Sequence, residues 1–134
     1  MAEPVSDQAD RAWQGWLAEE RVLVVPPHFG TELISALRRG IFLGRGTAQD
    51  QAHGLELCLT TILRVVQPRW PERGTWERAW AWAERLRRAN IYDSLYLAVA
   101  EETGADYWTA DGNLVRALEV DGHPLPPWVH LLEP

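Results

Sequence analysis

The chain has 134 residues, 46% of them hydrophobic, with 24% charged and a net charge of −6, a globular composition of one-domain length that excludes a disordered tail or a fibrous protein. No apolar run nears the roughly 20 residues of a membrane span, a single cysteine, Cys58, excludes an internal disulfide framework, and the acidic opening MAEPVSDQAD is unlike a signal peptide, so a cytoplasmic protein without a membrane partner is expected. The acid excess also argues against a non-specific nucleic-acid binder built on a basic surface; all 13 basic residues are Arg, which suits phosphate recognition, although codon bias is the simpler source of that pattern.

Taken in chain order, residues 6–20 are predicted to form an amphipathic helix capped by Ser6 or Asp7, with Ala9, Trp13, Trp16 and Leu17 on one face. Residues 22–25 are a β-branched-rich run stopped by Pro26 and Pro27, the pattern of a buried parallel strand. Residues 28–39 read as a short helix with Leu33, Ala36 and Leu37 inward and Gly40 closing it. Residues 47–60 read as another, with Ala48, Ala52, Leu55 and Leu59 spaced for burial; Gly54 weakens it by about 1 kcal/mol relative to Ala. Residues 62–66 look like a strand ended by Pro68, and residues 67–74 like a loop. Residues 76–88 are a strong helical pattern, with Trp76, Trp80, Ala83 and Leu86 inward and Glu77, Arg78, Glu84, Arg85, Arg87 and Arg88 toward water. The tryptophans here, Trp70 included, read as core packing in preference to a base-stacking surface.

The stretch NIYDSLYLAVAEETGADYWTADGNLVRAL, residues 90–118, is where the chemistry gathers. Tyr92, Leu95, Tyr96 and Val99 share a helical face, and Gly104 stops that helix because glycine accepts the left-handed conformation of a C-terminal cap. Tyr107, Trp108 and Thr109 suit a buried strand. Asp111 and Gly112 turn the chain into a last helix over residues 113–118. A turn-rich loop over residues 122–127 and a short strand over residues 128–132 complete the chain. Asp93 therefore opens a helix, Asp111 lies just past a strand, and Glu32 holds the equivalent place after the first strand. Each has a structural role to hand, as cap, turn or helix-dipole partner. In open α/β sheets, however, ligands bind beyond the carboxyl ends of the strands. Two carboxylates brought together there repel by about 4 kcal/mol at 4 Å and an effective dielectric near 20, and a divalent cation relieves that repulsion.

The alternation of strands and helices predicts an α/β fold: a three-layer domain with a mostly parallel sheet and helices on both faces. There is no glycine-rich phosphate loop. His28, His53, His123 and His130 lack metal-ligand spacing, and no Ser-His-Asp set follows from chain order.

With three acids placed, the sequence resembles the PIN-domain ribonucleases, in particular the VapC-like toxins of bacterial toxin–antitoxin pairs. The resemblance is carried by VVPPHFGTELISALRR around Glu32, NIYDSLYLAVAEETGA around Asp93 and YWTADGNLVRAL around Asp111, and extends over residues 3–132. It implies one PIN-like domain over residues 1–134 and an endoribonuclease dependent on Mg²⁺ or Mn²⁺, with Glu32, Asp93 and Asp111 as catalytic metal-site residues. Thr109 and Asn113 would orient them, and Arg38 and Arg39 would contact RNA phosphate or a partner's acidic segment. Expected partners are RNA, an antitoxin-type protein and a second copy of the chain. In that family the first element is a hydrophobic strand carrying the first metal aspartate; here EPVSDQADRAW resembles the loop and second helix of the pattern, so the domain is expected to be N-terminally incomplete. The alternative expectation is a catalytically impaired PIN-like module that captures an antitoxin-type peptide or dimerises. A third is a generic doubly wound domain whose acids are only caps and turn residues.

Overall fold

The structure, a computed structural model, describes residues 4–132. The backbone divides into two compact units, one of residues 22–71 and a larger one of the residues up to 21 together with those from 72 onward.

In the larger unit, α1 spans Pro4–Ala18. Ser6 and Asp7 therefore fall inside the helix and do not cap it; their side chains lie outside the described residues. Proline is well suited to the first turn of a helix, where its missing N–H would have had no partner. The helix ends through Glu20, which adopts a left-handed φ of 54°, and the Arg21 amide closes on the Trp16 carbonyl at 2.9 Å.

Two helices form the unit's framework, α5 over Arg73–Leu86 and α6 over Tyr92–Thr103. The buried side of α5 is Thr75, Ala79, Trp82 and Leu86, a seven-residue spacing that differs from the face expected. Trp76 and Trp80 point outward, 47% and 62% exposed. The reason lies in α6. Ala79 and Ala98 are both completely buried in one cluster, so the helices approach through small residues and leave no room for an indole. The Thr75 hydroxyl is accommodated because it donates to the Glu102 carboxylate, at 2.7 and 2.9 Å from its two oxygens, and accepts from the Glu72 amide at 3.1 Å. Trp80 finds a partner for its indole N–H on its own helix, in Glu84 at 3.1 Å. On α6, Leu95 and Val99 are buried as expected, whereas Tyr92 is exposed.

Gly104 ends α6 with a φ of 64°, and the chain returns as β3, Tyr107–Thr109, then α7, Gly112–Leu118, and β4, Val129–Leu131, all close to expectation. β3 and β4 are parallel, with Tyr107 opposite Val129, Trp108 opposite His130 and Thr109 opposite Leu131. The core between these elements and the α5–α6 pair consists of Trp82, Leu86, Leu97, Leu114, Val115, Leu118 and Val129.

The smaller unit pairs β1, Val24–Val25, in parallel with β2, Gln67–Pro68. Between them run α2, Phe29–Phe42, α3, Ala48–Leu57, a π-helical turn, Cys58–Ile62, and α4, Leu63–Val65. Five expectations are corrected here. Gly40 does not close α2, which continues to Phe42, and Ala36 is exposed. The face of Ala48, Ala52, Leu55 and Leu59 is exposed, while Cys58 is buried. Gly54 has a packing reason: a Cβ there would lie 3.0 Å from Leu37 Cδ1, so its absence lets α3 close on α2. The strand expected over residues 62–66 is helical through Val65, because the helix is nucleated by a full capping box between Thr47 and Asp50 and continues cooperatively. Extended backbone begins at Val66. Gln67, which precedes Pro68, is biased away from the helical region, and this places the strand in what reads as a loop. The class is α/β, in keeping with a three-layer α/β architecture, and every strand pair among the described residues is parallel.

Candidate functional site

Asp111 lies two residues beyond the end of β3 and caps α7. Its Oδ1 accepts from the amides of Asn113 at 2.9 Å and Leu114 at 3.2 Å. Its own amide donates to Thr109 Oγ1 at 3.0 Å. Thr109 is buried, so the hydroxyl fixes where the chain leaves the strand. Asp111 thus fills the structural role open to it, yet only one of its oxygens is engaged in the cap. The Arg116 guanidinium lies over Gly112 at the start of α7 and donates to Asn113 Oδ1.

Asp93 sits in the first turn of α6 and is partly buried. The Gly104–Asp106 connection is short, so β3 runs back along α6. Tyr96 and Tyr107, with ring centroids 5.8 Å apart, pack the two elements together. Asp93 stands in the first turn of α6 and Asp111 just past the end of β3, both in the larger unit. The neighbouring Ser94 hydroxyl is buried without a hydrogen-bond partner.

Glu32 belongs to the other unit. It stands in the first turn of α2, with Oε1 3.4 Å from His28 Nε2 one turn before it. Arg38 and Arg39 follow two turns later and, with Ile34, Ser35 and Phe42, line a shallow groove of about 510 Å³. Within each unit, no three His, Cys, Asp or Glu side chains among the described residues are gathered in the manner of a metal cage. His28, Ser94 and Arg116 were not singled out from sequence. The His28–Glu32 and Asn113–Arg116 contacts have helical four- and three-residue spacing and are legible in principle; the burial of Ser94 is not.

The family model described as PIN domain matches residues 5–119, most of the chain, and the protein belongs to the PIN domain family. No curated protein and no solved structure matches it. Membership brings a nuclease-type function in general, with divalent ions and RNA as its general requirements. Among the described residues no helix is long and apolar enough to cross a membrane.

The donor set fits such an ion by its chemistry. Asp93 and Asp111, both in the larger unit, offer only carboxylate oxygens, the ligands that suit hard cations. Magnesium keeps several waters and uses one or two carboxylates together with substrate phosphate oxygens. Two carboxylates are therefore enough in number for such an ion.

Proposed function

We propose that this protein is a Mg²⁺- or Mn²⁺-dependent endoribonuclease of the PIN type and acts as the toxin, VapC-like, of a toxin–antitoxin pair. The observation that carries the reading is Asp111, just past β3 with only one carboxylate oxygen engaged in the α7 cap, in a chain of this family. In this reading Asp93 and Asp111 are metal-site acids, Glu32 is the further acid that the family resemblance implies, and the domain is one PIN-like domain. The bound ion supplies charge stabilisation to phosphodiester cleavage and lowers the pKa of water. The chain's own residues set the geometry. Thr109 fixes the exit from β3, the α7 amides hold one oxygen of Asp111, and Asn113 anchors Arg116 where a phosphate oxygen would pass.

The antitoxin is assigned to the α2 groove. Its lining joins the apolar Ile34 and Phe42 to two arginines, with no acid among the lining residues, which suits an acidic amphipathic segment better than RNA, whose affinity rests on phosphate charge. Cleavage of single-stranded RNA with Mg²⁺ or Mn²⁺, run beside an Asp93→Ala control, tests the enzyme reading. Metal-dependent cleavage lost in the control is the expected result. Equal cleavage by both proteins assigns the activity to a contaminant. No cleavage by either, with a saturable Mn²⁺ site absent from calorimetry, would leave only the catalytically impaired binding module.

A further inference from the structure

Trp70 has no role in the reading above. It reads as a core residue in the sequence, yet its indole is 76% exposed. Among the described residues no ring or cation packs on it, whereas Trp108 lies against Trp16 and His130, and Trp82 against Trp128 and Arg85. The loop that carries Trp70 is stiff. Pro68 and Pro71 fix their own φ angles, and Gln67 and Trp70, each preceding a proline, are held toward extended backbone. An indole kept in water contributes little to folding, and on so rigid a loop it loses little freedom when it meets a ligand.

Its place in the smaller unit says which ligand. β1 and β2 are parallel, with Val25 opposite Pro68, and the Arg69 amide donates to the Val25 carbonyl at 2.8 Å. Both strands therefore end at the same edge. From β1 the chain turns at Pro26, whose carbonyl accepts from the Phe29 amide at 3.1 Å, into α2 with Glu32 in its first turn. From β2 it leaves through Arg69 to Trp70, two residues and at most about 7 Å beyond Pro68. Ligands of open parallel sheets bind outside the carboxyl ends of the strands. The charge points the same way: residues 22–71 carry five arginines against three acids in a chain whose net charge is −6, so the unit that bears Trp70 is the basic one. We propose that Trp70 stacks on a nucleobase of single-stranded RNA and so holds one nucleotide at the edge where Glu32 stands. The proposal rests on the ribonuclease reading above and adds a base contact to it. Because every base has a π-face, such a contact tolerates any sequence, while it favours single strands, whose bases are free to stack on a protein ring. A tryptophan built for a protein partner sits in an apolar patch; the neighbours of Trp70 along the loop are Arg69 and two prolines.

Fluorescence anisotropy of a labelled single-stranded RNA, titrated with the full chain in EDTA so that no metal-dependent cleavage occurs, tests the contact apart from the chemistry. The dissociation constant should rise by roughly five- to a hundredfold in Trp70→Ala, the range that loss of one stacked base gives, and Trp70→Phe should recover most of it. The slope of log Kd on log salt should be the same in Trp70→Ala as in wild type, since no phosphate contact is lost. Wild type should favour the intact strand over one of equal length with an abasic tract, and Trp70→Ala should lose that preference. With Mn²⁺ present, the effect on cleavage should fall on KM more than on kcat. The position is exposed, and an unchanged melting temperature verifies that both variants fold. Trp70→Ala binding as tight as wild type, or a wild type blind to the missing bases, would overturn the proposal and leave the indole to a protein partner; Mn²⁺-dependent cleavage in the same preparation would show that the ribonuclease reading survives it. Trp70-dependent binding without any cleavage would do the reverse, keeping the stacking contact and removing the enzyme.

Discussion

Asp111 has two duties in this structure, and two substitutions separate them. As the cap of α7 it accepts two backbone N–H groups through Oδ1. The helix has only seven residues, and it delivers Leu114 and Leu118, both almost wholly buried, to the core. Asp111→Ala leaves those two amides without their acceptor, which costs about 1 kcal/mol, within a range of roughly 0.5–2. For a chain of this size that corresponds to a fall in Tm of roughly 3–6 °C. Asp111→Asn keeps the accepting oxygen and caps about as well. It loses only the charge at the helix N-terminus, about 0.3–1 kcal/mol. Metal binding depends on that charge, so the two variants should be alike in activity and different in stability. Lewis-acid stabilisation is worth several kcal/mol, and cleavage should fall by roughly a hundredfold or more in both. Circular dichroism melts with and without Mn²⁺ follow one axis, and cleavage of a labelled single-stranded RNA the other. Mn²⁺ at about a hundred times its Kd should stabilise the wild type by about 2.7 kcal/mol and leave Asp111→Asn unmoved. Wild-type cleavage by Asp111→Asn would show that Asp111 is a cap and nothing more. An Asp111→Asn melt as low as that of Asp111→Ala would show that the charge, and not the accepting oxygen, holds α7.

Three further outcomes are expected. Leu97→Ala, at a position with no solvent exposure, should cost about 2–5 kcal/mol, read from the urea midpoint at constant slope; a loss below 1 kcal/mol, on the order of a surface change, would mean that the core is not packed as described. Thr75→Val preserves shape but removes the hydroxyl shared by Glu102 and the Glu72 amide, and should cost roughly 1–3 kcal/mol, with Thr75→Ser recovering most of it. Asp50 is held below the usual carboxylate range by the Thr47 amide first and the Thr47 hydroxyl second. Its folded pKa is thus lower than its unfolded one, so its contribution is fully present above the ordinary carboxylate pKa and is lost as pH falls through the lowered value. The difference in Tm between wild type and Asp50→Asn should be present at neutral pH and shrink under acid. A difference that grows on acidification would contradict the capping box between Thr47 and Asp50.

What the sequence made legible follows the range of the interactions that decide each element. The stop at Gly104, the strand Tyr107–Thr109 and the turn at Asp111 depend on neighbours a few residues away, and all three stand where the residue types put them. The face of α5 does not. Trp76, Trp80, Ala83 and Leu86 make a respectable apolar stripe, but which side of a helix is buried depends on what its partner can accept, and the close approach of α6 at Ala98 selects Ala79 over an indole. Local propensity likewise gave way over residues 62–65, where Ile62 and Val65 sit in a helix that had already been nucleated at Thr47, and the chain becomes extended from Val66, just ahead of Pro68. The acids divide along the same line. Asp93 and Asp111 belong to one continuous stretch, and their places, in the first turn of α6 and just past β3, follow from local structure. Glu32 is recognisable only by its place after a strand, a position that His28 and the helix dipole explain equally well. A carboxylate with a sufficient structural reason to be where it is yields no metal from sequence alone. Asp111 differs because its cap engages one oxygen and leaves the charge of the group available at the end of β3, and it is for that reason that the Asn and Ala variants at this one position discriminate more sharply than any change at Glu32.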